Sequence, residues 1–194
     1  IAFCRKQADR KAGMTNSKNK RRIICVSQAR MTSTRLPGKV LMPVLGEPLL
    51  YYHLSRLRRS KLIDQLVVAT TINETDDPIA KYCRTLGVPV FRGSEADVLS
   101  RYAGAVKELG EGADIVIRVT SDCPLIDPEV VDGLATMFIN ETPELDYAAI
   151  DGTRFPHGLD AEIFRRSCLE EAMENADNPA EREHVTPYIY RRGE

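Results

Sequence analysis

Short runs of apolar, often β-branched residues alternate along this chain with longer stretches in which apolar residues recur at helical spacing. Four of the runs are nearly continuously apolar, which is typical of parallel strands that are covered on both faces. They predict strands at residues 22–27, 65–70, 88–91 and 115–119. These four strands would form the centre of a single sheet.

The stretches between the strands have the three- and four-residue spacing of amphipathic helices. Leu50, Leu54 and Leu57, for example, share one face of a predicted helix. Strand and helix alternate, which predicts an α/β protein with a mostly parallel sheet in a three-layer α/β/α sandwich. We predict helices at residues 49–59, 77–86, 96–109, 129–139, 166–175 and 180–190, and shorter strands at 145–150 and 159–164 that extend the sheet.

The formal net charge of −1 conceals a basic leader. Residues 1–22 contain eight Lys and Arg residues against the single acid Asp9. We interpret residues 1–21 as a disordered, solvated basic tail, with a nucleic-acid arm or an organelle-targeting segment as the alternatives. Met14 precedes a polar run, so residues 1–13 are expected to have no role in the fold. Residues 22–194 are predicted to form one domain.

Hydropathy and cysteine usage limit the class of protein further. No apolar run approaches the ~18 residues that a membrane-spanning helix requires. The five cysteines are scattered singly without a Cys-x-x-Cys pair, which gives no sign of a disulfide framework or a zinc site. We therefore expect a cytoplasmic protein without a membrane or nucleic-acid partner.

The loop after the first predicted strand contains an unusual set of cations. Arg30, Arg35 and Lys39 lie within ten residues of one another in a segment rich in small and hydroxyl side chains. Such a loop at the carboxyl edge of a sheet predicts a polyphosphate site. It is not a Walker loop, because Ser33 and Val40 stand where that motif needs Gly and Ser or Thr, and the chain has no dinucleotide-binding glycine motif. The alternative is a surface turn with solvated charges.

A carboxylate follows the fourth predicted strand. Asp122 would hold Mg²⁺ against phosphate oxygens, because hard cations prefer oxygen ligands. The alternative for Asp122 is a turn-forming residue ahead of Pro124. Asp127, which precedes Pro128, is predicted only to cap the next helix. Together with the cationic loop, Asp122 indicates a site for a nucleoside triphosphate.

Several segments resemble those of a known family. The sequence ARMTSTRLPGK at residues 29–39, followed by LGEPL at 45–49, is similar to the signature of the CMP-sugar synthetases, the cytidylyltransferases that activate Kdo and sialic-acid-like sugars. RGSEADVLSRY at 92–102, RVTSDCPLID at 118–127, GLDAE at 158–162 and REHVT at 182–186 are closer to the spore-coat polysaccharide cytidylyltransferase-like branch. The resemblance covers residues 22–194 and implies a Rossmann-like, GT-A-like nucleotidyltransferase fold.

The resemblance also implies a reaction and a set of site residues. A sugar hydroxyl would attack the α-phosphorus of CTP, so that pyrophosphate leaves and a CMP-sugar forms. This implies catalytic roles for Arg35, Lys39 and Asp122, and acceptor-sugar contacts by Asp97, Asp160 and Glu162. The implied nucleotide-binding residues are Ala29, Arg30, Ser33, Arg35, Lys39, Ser94, Arg101 and Thr120, of which Ser94 could equally be a helix cap.

One departure from the family pattern concerns the metal site. Members usually have a second metal-binding Asp in a later segment that this chain lacks. Either Asp160 takes that role beside Asp122, or the chain is truncated at its C-terminus and binds CTP weakly. His157 and His184 are further candidates for contact with the substrate, with ordinary polar surface as the alternative.

Three other interpretations remain open at this point. The same loops could belong to a non-catalytic nucleotide-sugar binding or scaffold domain in polysaccharide assembly. The base could be uracil, thymine or guanine, because base choice depends on hydrogen-bond geometry near Thr120 and the early loop. A homodimer is one expected assembly, because members of the family are often dimers.

Overall fold

A computed structural model describes residues 3–6, 21–141 and 145–191. Its strands are β1 (Phe3–Lys6), β2 (Arg22–Gln28), β3 (Pro43–Val44), β4 (Glu47–Pro48), β5 (Gln65–Thr71), β6 (Val90–Gly93), β7 (Ala113–Thr120), β8 (Tyr147–Ile150) and β9 (Glu162–Arg165). Its α-helices are α1 (Leu49–Leu57), α2 (Asp77–Thr85), α3 (Val98–Leu109), α4 (Pro128–Asn140), α5 (Arg166–Asn175), α6 (Pro179–His184) and α7 (Pro187–Arg191).

The main sheet has the strand order β1-β8-β9-β7-β2-β5-β6. Strands β7, β2, β5 and β6 are parallel, whereas β9, β8 and β1 add antiparallel to one side. From β2 the chain proceeds outward to β5 and β6, and it then returns to the other side of β2 to form β7. The strand order therefore reverses beside β2, and such a switch point is where open α/β sheets form their binding crevice.

Helices cover both faces of this sheet. On one face, Ile24 and Val26 of β2 pack with apolar residues of α3 and α5. On the other face, Ile23 and Cys25 pack with residues of α4, while Val68 of β5 packs with α1 and α2. The predicted three-layer α/β/α sandwich with its parallel centre is confirmed, because helices pack on both faces of the sheet and most residues of β2, β5 and β7 are buried.

The long terminal helix predicted at residues 180–190 is wrong. The structure forms α6 and α7 instead, with a break at Val185, whose φ is 73°. A β-branched residue rarely adopts a positive φ, and Pro187 has no N–H for a continuous helix. The apolar periodicity did not reveal this break because Val185 and Ile189 are both buried.

The expected tail also needs correction at its start. Residues Phe3–Lys6 form β1 and pair antiparallel with β8, with Phe3 opposite Ile150 and Lys6 opposite Tyr147. The open edge of β8 has unpaired backbone groups that an extended segment satisfies, whatever the charge of its side chains. Residues 1–2 and 7–20, the rest of the predicted disordered tail, lie outside the described residues. Across the described ranges, no helix is long and apolar enough to cross a membrane.

Candidate functional site

The two chemistry-bearing loops meet at the switch point of the sheet. Gln28, the last residue of β2, lies opposite Thr120, the last residue of β7. The loop of residues 29–39 and the turn of residues 121–127 therefore leave the sheet side by side. The backbone N–H of Ser121 donates to the carbonyl of Gln28 at 2.9 Å, which fixes the start of the turn against the end of β2.

Gly38 closes the first loop on itself. Its N–H donates to the carbonyl of Met31 at 2.8 Å, and its φ of 72° lies in the left-handed region that glycine adopts without steric cost. The chain then turns into a short 3₁₀ segment that starts at Lys39. This closure brings Lys39 close to the turn after β7, where its Nζ contacts Asp122.

Asp76 anchors this loop from below and was not identified as a site residue from the sequence. Its carboxylate is fully buried and accepts hydrogen bonds from the backbone of Met31 at 2.8 Å and from the hydroxyls of Thr70 and Thr71. By its position in the sequence, Asp76 only precedes the helix predicted at residues 77–86. Its long-range bond to Met31 spans 45 positions, so no local pattern could have indicated it.

We predict that Asp76→Asn weakens nucleotide binding and lowers the free energy of unfolding by about 1–3 kcal/mol, the usual cost of leaving a buried donor unpaired. If the amide oxygen stays with the threonines, the NH₂ group faces the N–H of Met31 and releases the loop. Urea unfolding and CTP titration measure the two effects. Glu74→Gln removes an exposed carboxylate from the same turn and is the matched control. Equal results for the two variants would contradict the anchoring role.

A polar cleft of about 210 Å³ lies between the two loops. It contains three cationic side chains, Arg30, Arg35 and Lys39, and one carboxylate, Asp122. Lys39 Nζ lies 2.5 Å from Asp122 Oδ2. Within the described part of the chain, neither arginine has a carboxylate partner, so the cleft has an excess of positive charge. The remaining lining residues are Gln28, Ser33, Thr34, Val40 and Thr120.

Asp122 is ionised in this setting. Partial burial opposes ionisation of its carboxyl group, but hydrogen bonds from Lys39 and Thr120 lower the pKa of Asp122 below its usual value. One ionised carboxylate next to a site for phosphates suits Mg²⁺, which commonly binds one or two carboxylates together with substrate phosphates and water. No cluster of three or more His, Cys, Asp or Glu residues that could hold a metal occurs in residues 21–141 and 145–191. The donor set fits a metal that arrives with the nucleotide.

A buried polar network lies directly beneath the cleft. The Ser27 hydroxyl contacts His53 Nε2 at 2.8 Å and the Ser121 hydroxyl at 2.7 Å, while His53 Nδ1 contacts the Cys123 carbonyl at 2.9 Å. Burial lowers the pKa of His53, although the Cys123 carbonyl and the Asp122 charge act in the opposite direction. His53 is therefore neutral, and its Nδ1 carries the proton because a carbonyl can only accept.

The buried imidazole predicts a loss of stability in mild acid. The unfolded chain binds a proton at His53 near pH 6.5, whereas the folded chain resists it. This contribution is complete above about pH 6.5 and is lost as the pH falls, by up to about 1.4 kcal/mol per pH unit. Urea unfolding at about pH 7 and about pH 5.5 tests this, with His53→Asn as the comparison. An identical pH dependence in that variant would rule out His53 as the cause.

A second pocket of about 290 Å³ adjoins the cleft, and Thr120 lines both. Asp160 and Glu162 line this pocket together with Arg118, which forms an ion pair with Glu162. Both acids reach one pocket because they are two positions apart, a spacing that puts side chains on the same face of an extended chain. The tyrosine hydroxyl of Tyr147 also donates to Glu162, at 2.7 Å. Asp160 thus lies in the neighbouring pocket rather than among the lining residues of the cleft.

Three predicted site residues, Asp97, Ser94 and Arg101, make structural contacts and line neither the cleft nor the second pocket. Asp97 caps α3 through the N–H of Ser100 and forms an ion pair with Arg182, so it joins α3 to α6. Ser94 accepts from the N–H of Asp97 at 3.0 Å. Arg101 is 1% exposed and donates to the carbonyl of Ser94. The motif that suggested nucleotide contacts at Ser94 and Arg101 and an acceptor contact at Asp97 thus also shapes the start of α3.

The structure also gives the positions of the remaining residues that the sequence suggested for the site. Ala29, just after β2, is buried, its N–H donates to the carbonyl of Ala69, and it does not line the cleft. His157 and His184 are exposed and line neither pocket. Asp127 accepts from the N–H of Glu129 at 2.8 Å, which confirms its predicted role as a helix cap.

Gln28 was not predicted as a site residue. Its side chain lines the cleft, and its buried Oε1 has no hydrogen-bond partner within the described residues.

A larger cavity, of about 490 Å³, lies between α3 and α5. Its charged residues are two basic side chains, Lys107 and Arg166, and two acidic ones, Glu170 and Glu174. Arg166 is already bonded to Glu170, and the remaining lining is mostly apolar. A triphosphate therefore has far better partners in the cleft at the switch point, although that cleft is smaller.

Comparison with known proteins agrees with this geometry. The family model described as cytidylyltransferase matches residues 24–193. An uncharacterised protein of Methanocaldococcus jannaschii is 41% identical over 169 residues, covering 87% of this chain and 67% of that protein. The spore coat polysaccharide biosynthesis protein SpsF of Bacillus subtilis is 36% identical over 172 residues, covering 86% of this chain and 69% of SpsF.

A solved structure is similar over the same region. A cytidylyltransferase from Leptospira borgpetersenii superposes with a TM-score of 0.79 at 36% identity, covering 90% of this chain and 72% of that chain. The match to the family model and the similarity to this solved structure make the chain a nucleotidyltransferase. The chain belongs to the cytidylyltransferase family.

Proposed function

We propose that this protein transfers CMP from CTP to a hydroxyl of a sugar acid or related sugar and releases pyrophosphate, within polysaccharide biosynthesis. The observation that carries the proposal is the cleft in which Arg30, Arg35 and Lys39 face Asp122 at the switch point. The similarity to SpsF supports the polysaccharide context. The match to the cytidylyltransferase family supports CTP as the donor.

The cationic side chains bind and orient the triphosphate. Phosphoryl-type transfer needs positioning and neutralisation of charge more than covalent help from the protein. Arg35 and Lys39 provide donors from the loop that follows β2, and Arg30 adds a third cation from the same loop. As the α-phosphorus gains a bond to the acceptor oxygen, its bond to the pyrophosphate oxygen breaks, and the acceptor hydroxyl gives its proton to water or to the departing pyrophosphate. These cations stabilise the negative charge that collects on the departing pyrophosphate.

Asp122 is the residue that would hold Mg²⁺. When bound, the ion would neutralise part of the charge of the phosphates. In the structure Lys39 occupies one oxygen of Asp122. We propose that Lys39 exchanges this contact for the phosphates when the nucleotide binds, so that the carboxylate becomes available. The exchange keeps both charges paired before and after binding.

The adjoining pocket is the proposed place for the acceptor. It shares Thr120 with the nucleotide cleft and is lined by Asp160, Glu162 and Arg118. Its polar side chains suit the hydroxyl groups of a sugar. Asp160 is proposed to contact the acceptor. To act as a second metal-binding residue as well, its carboxylate would have to extend from this pocket past Thr120 into the nucleotide cleft. An assembly into homodimers stays a prediction.

The direct test is a pyrophosphate-release assay with Mg²⁺, four nucleoside triphosphates and a panel of acceptor sugars that includes ulosonic acids. CTP is expected to be the preferred donor, and release is expected to require an acceptor. Tight binding of CTP without release of pyrophosphate would favour a binding or scaffold role. That outcome would have to hold for every acceptor tested and also in a version of the protein as long as its relatives. Release with another triphosphate but not with CTP would contradict the proposed base.

A further inference from the structure

His53 occupies a position in α1 where an apolar residue would ordinarily be expected. It lies on the same buried side of the helix as Leu50, Leu54 and Leu57, and it is 0% exposed. Burial of a polar group costs free energy unless each of its polar atoms finds a partner. Both ring nitrogens of His53 do find one, on two different segments of the chain. The imidazole is thus a built contact rather than a packing residue.

The partners of His53 belong to the two segments that form the cleft. Ser27 is the penultimate residue of β2, just before the cationic loop, and Cys123 follows Asp122 directly in the turn after β7. The Ser121 hydroxyl joins the same network through Ser27. The turn is therefore tied down on both sides of Asp122, at Ser121 by a hydroxyl and at Cys123 by its carbonyl.

The directions of these hydrogen bonds follow from the chemistry of each group. Nδ1 of His53 donates a hydrogen bond to the Cys123 carbonyl, so Nε2 is unprotonated and accepts a hydrogen bond from the Ser27 hydroxyl. The oxygen of Ser27 then accepts from the Ser121 hydroxyl. Ser27 is 0% and Ser121 1% exposed, so no substrate reaches this serine and histidine pair as a nucleophile. The network can act only through the groups that it holds in place.

We infer that His53 is a positioning residue that clamps the turn of residues 121–123 to the end of β2 and so holds Asp122 beside Lys39. Its effect on turnover rests on the proposed function, but its effect on the turn does not. Loss of a group that orients a metal-binding residue typically costs 10- to 100-fold in affinity or activity. The clamp at Cys123 matters most, because that carbonyl is adjacent to Asp122.

Two variants of similar size separate the two halves of the imidazole. The amide of His53→Asn lies near the position of Nδ1 and can still donate to Cys123. The longer side chain of His53→Gln reaches the position of Nε2, so it keeps the contact with Ser27 and loses the clamp. A role in core packing alone predicts similar behaviour of both variants, whereas the clamp predicts a difference between them.

Amide hydrogen exchange of the ligand-free protein is the primary measurement. Exchange at Ser121 and Asp122 is expected to be faster in His53→Gln by about tenfold and close to wild type in His53→Asn. The amide of Val68, which donates to Pro89 in the sheet, serves as the internal reference. Turnover of CTP with Mg²⁺ is expected to fall 10- to 100-fold in His53→Gln, mainly through kcat, and less in His53→Asn.

Equal exchange at the turn in both variants, with Val68 unchanged, would overturn the inference. If wild-type protein shows no turnover at all, the proposed function fails while the exchange data still decide whether His53 clamps the turn. If the His53 variants do not fold, Ser121→Ala removes the other tie without touching the imidazole. That variant is expected to speed exchange at Asp122 several-fold, and wild-type exchange there would equally contradict the network.

Discussion

Asp122→Asn is expected to reduce Mg²⁺-dependent turnover by about 10²-fold or more, the largest single effect that the structure predicts. The amide has nearly the shape of the carboxylate but no charge, so it is a poor ligand for a hard cation. Binding of CTP without metal should be unchanged or tighter, because a negative charge facing the phosphates has been removed. Steady-state kinetics and calorimetric titration with and without Mg²⁺ measure the two effects.

Asp127→Asn is the matched control for this variant. It removes the same charge from the same turn, and asparagine caps a helix about as well as aspartate does. Within the described residues, the Asp127 carboxylate accepts only from the local N–H of Glu129, and Asp127 does not line the cleft. Near wild-type turnover is therefore expected. Equal losses in Asp122→Asn and Asp127→Asn would show that the general charge of the turn matters and that Asp122 holds no metal.

Lys39→Met should cause the second largest loss, a fall of about 10- to 100-fold in kcat/KM for CTP. A hydrogen bond to a charged group contributes about 1.5–3 kcal/mol, and each 1.4 kcal/mol is a factor of ten. The substitution preserves the length of the side chain but removes its ammonium group. The pKa of Asp122 should rise, because hydrogen bonding by Lys39 helps to keep it low. Carboxyl-detected NMR titration follows that change without any substrate.

Lys61→Met is the control for the loss of a lysine. Lys61 is exposed and precedes β5, so it lies at the opposite edge of the sheet from the cleft. Its substitution is expected to leave both the kinetic constants and the Asp122 titration unchanged. An unaltered kcat/KM together with an unaltered Asp122 pKa in Lys39→Met would mean that the contact between Lys39 and Asp122 does not contribute to activity.

The sequence predicted the cleft for a simple topological reason. Strands in parallel register end at the same edge of a sheet, so the residues that follow two neighbouring strands must lie together. Arg35 and Lys39 follow β2, Asp122 follows β7, and these strands are adjacent. No side-chain contact had to be known for this prediction. The contact between Lys39 and Asp122 links residues 83 positions apart.

The supporting residues could not be predicted in the same way. Asp76 is followed by Asp77 and Pro78, a local pattern that indicates a helix start, and His53 occupies one position of an amphipathic helix. The roles of Asp76 and His53 depend on partners from distant segments, which only the folded chain brings within 3 Å. Asp97 shows the converse case, because its family motif suggested substrate contact while its carboxylate is committed to α3 and Arg182.

The central claim is that CTP binds with Mg²⁺ between the loops that follow β2 and β7. Amide chemical-shift mapping of the isotope-labelled protein, titrated with CTP and Mg²⁺, tests it most directly. The structure predicts the largest shifts at residues 33–39 and 120–122, with the Mg²⁺-dependent part lost in Asp122→Asn. Chemical-shift changes confined to the cavity between α3 and α5, around Ser100 and Leu169, would contradict the claim.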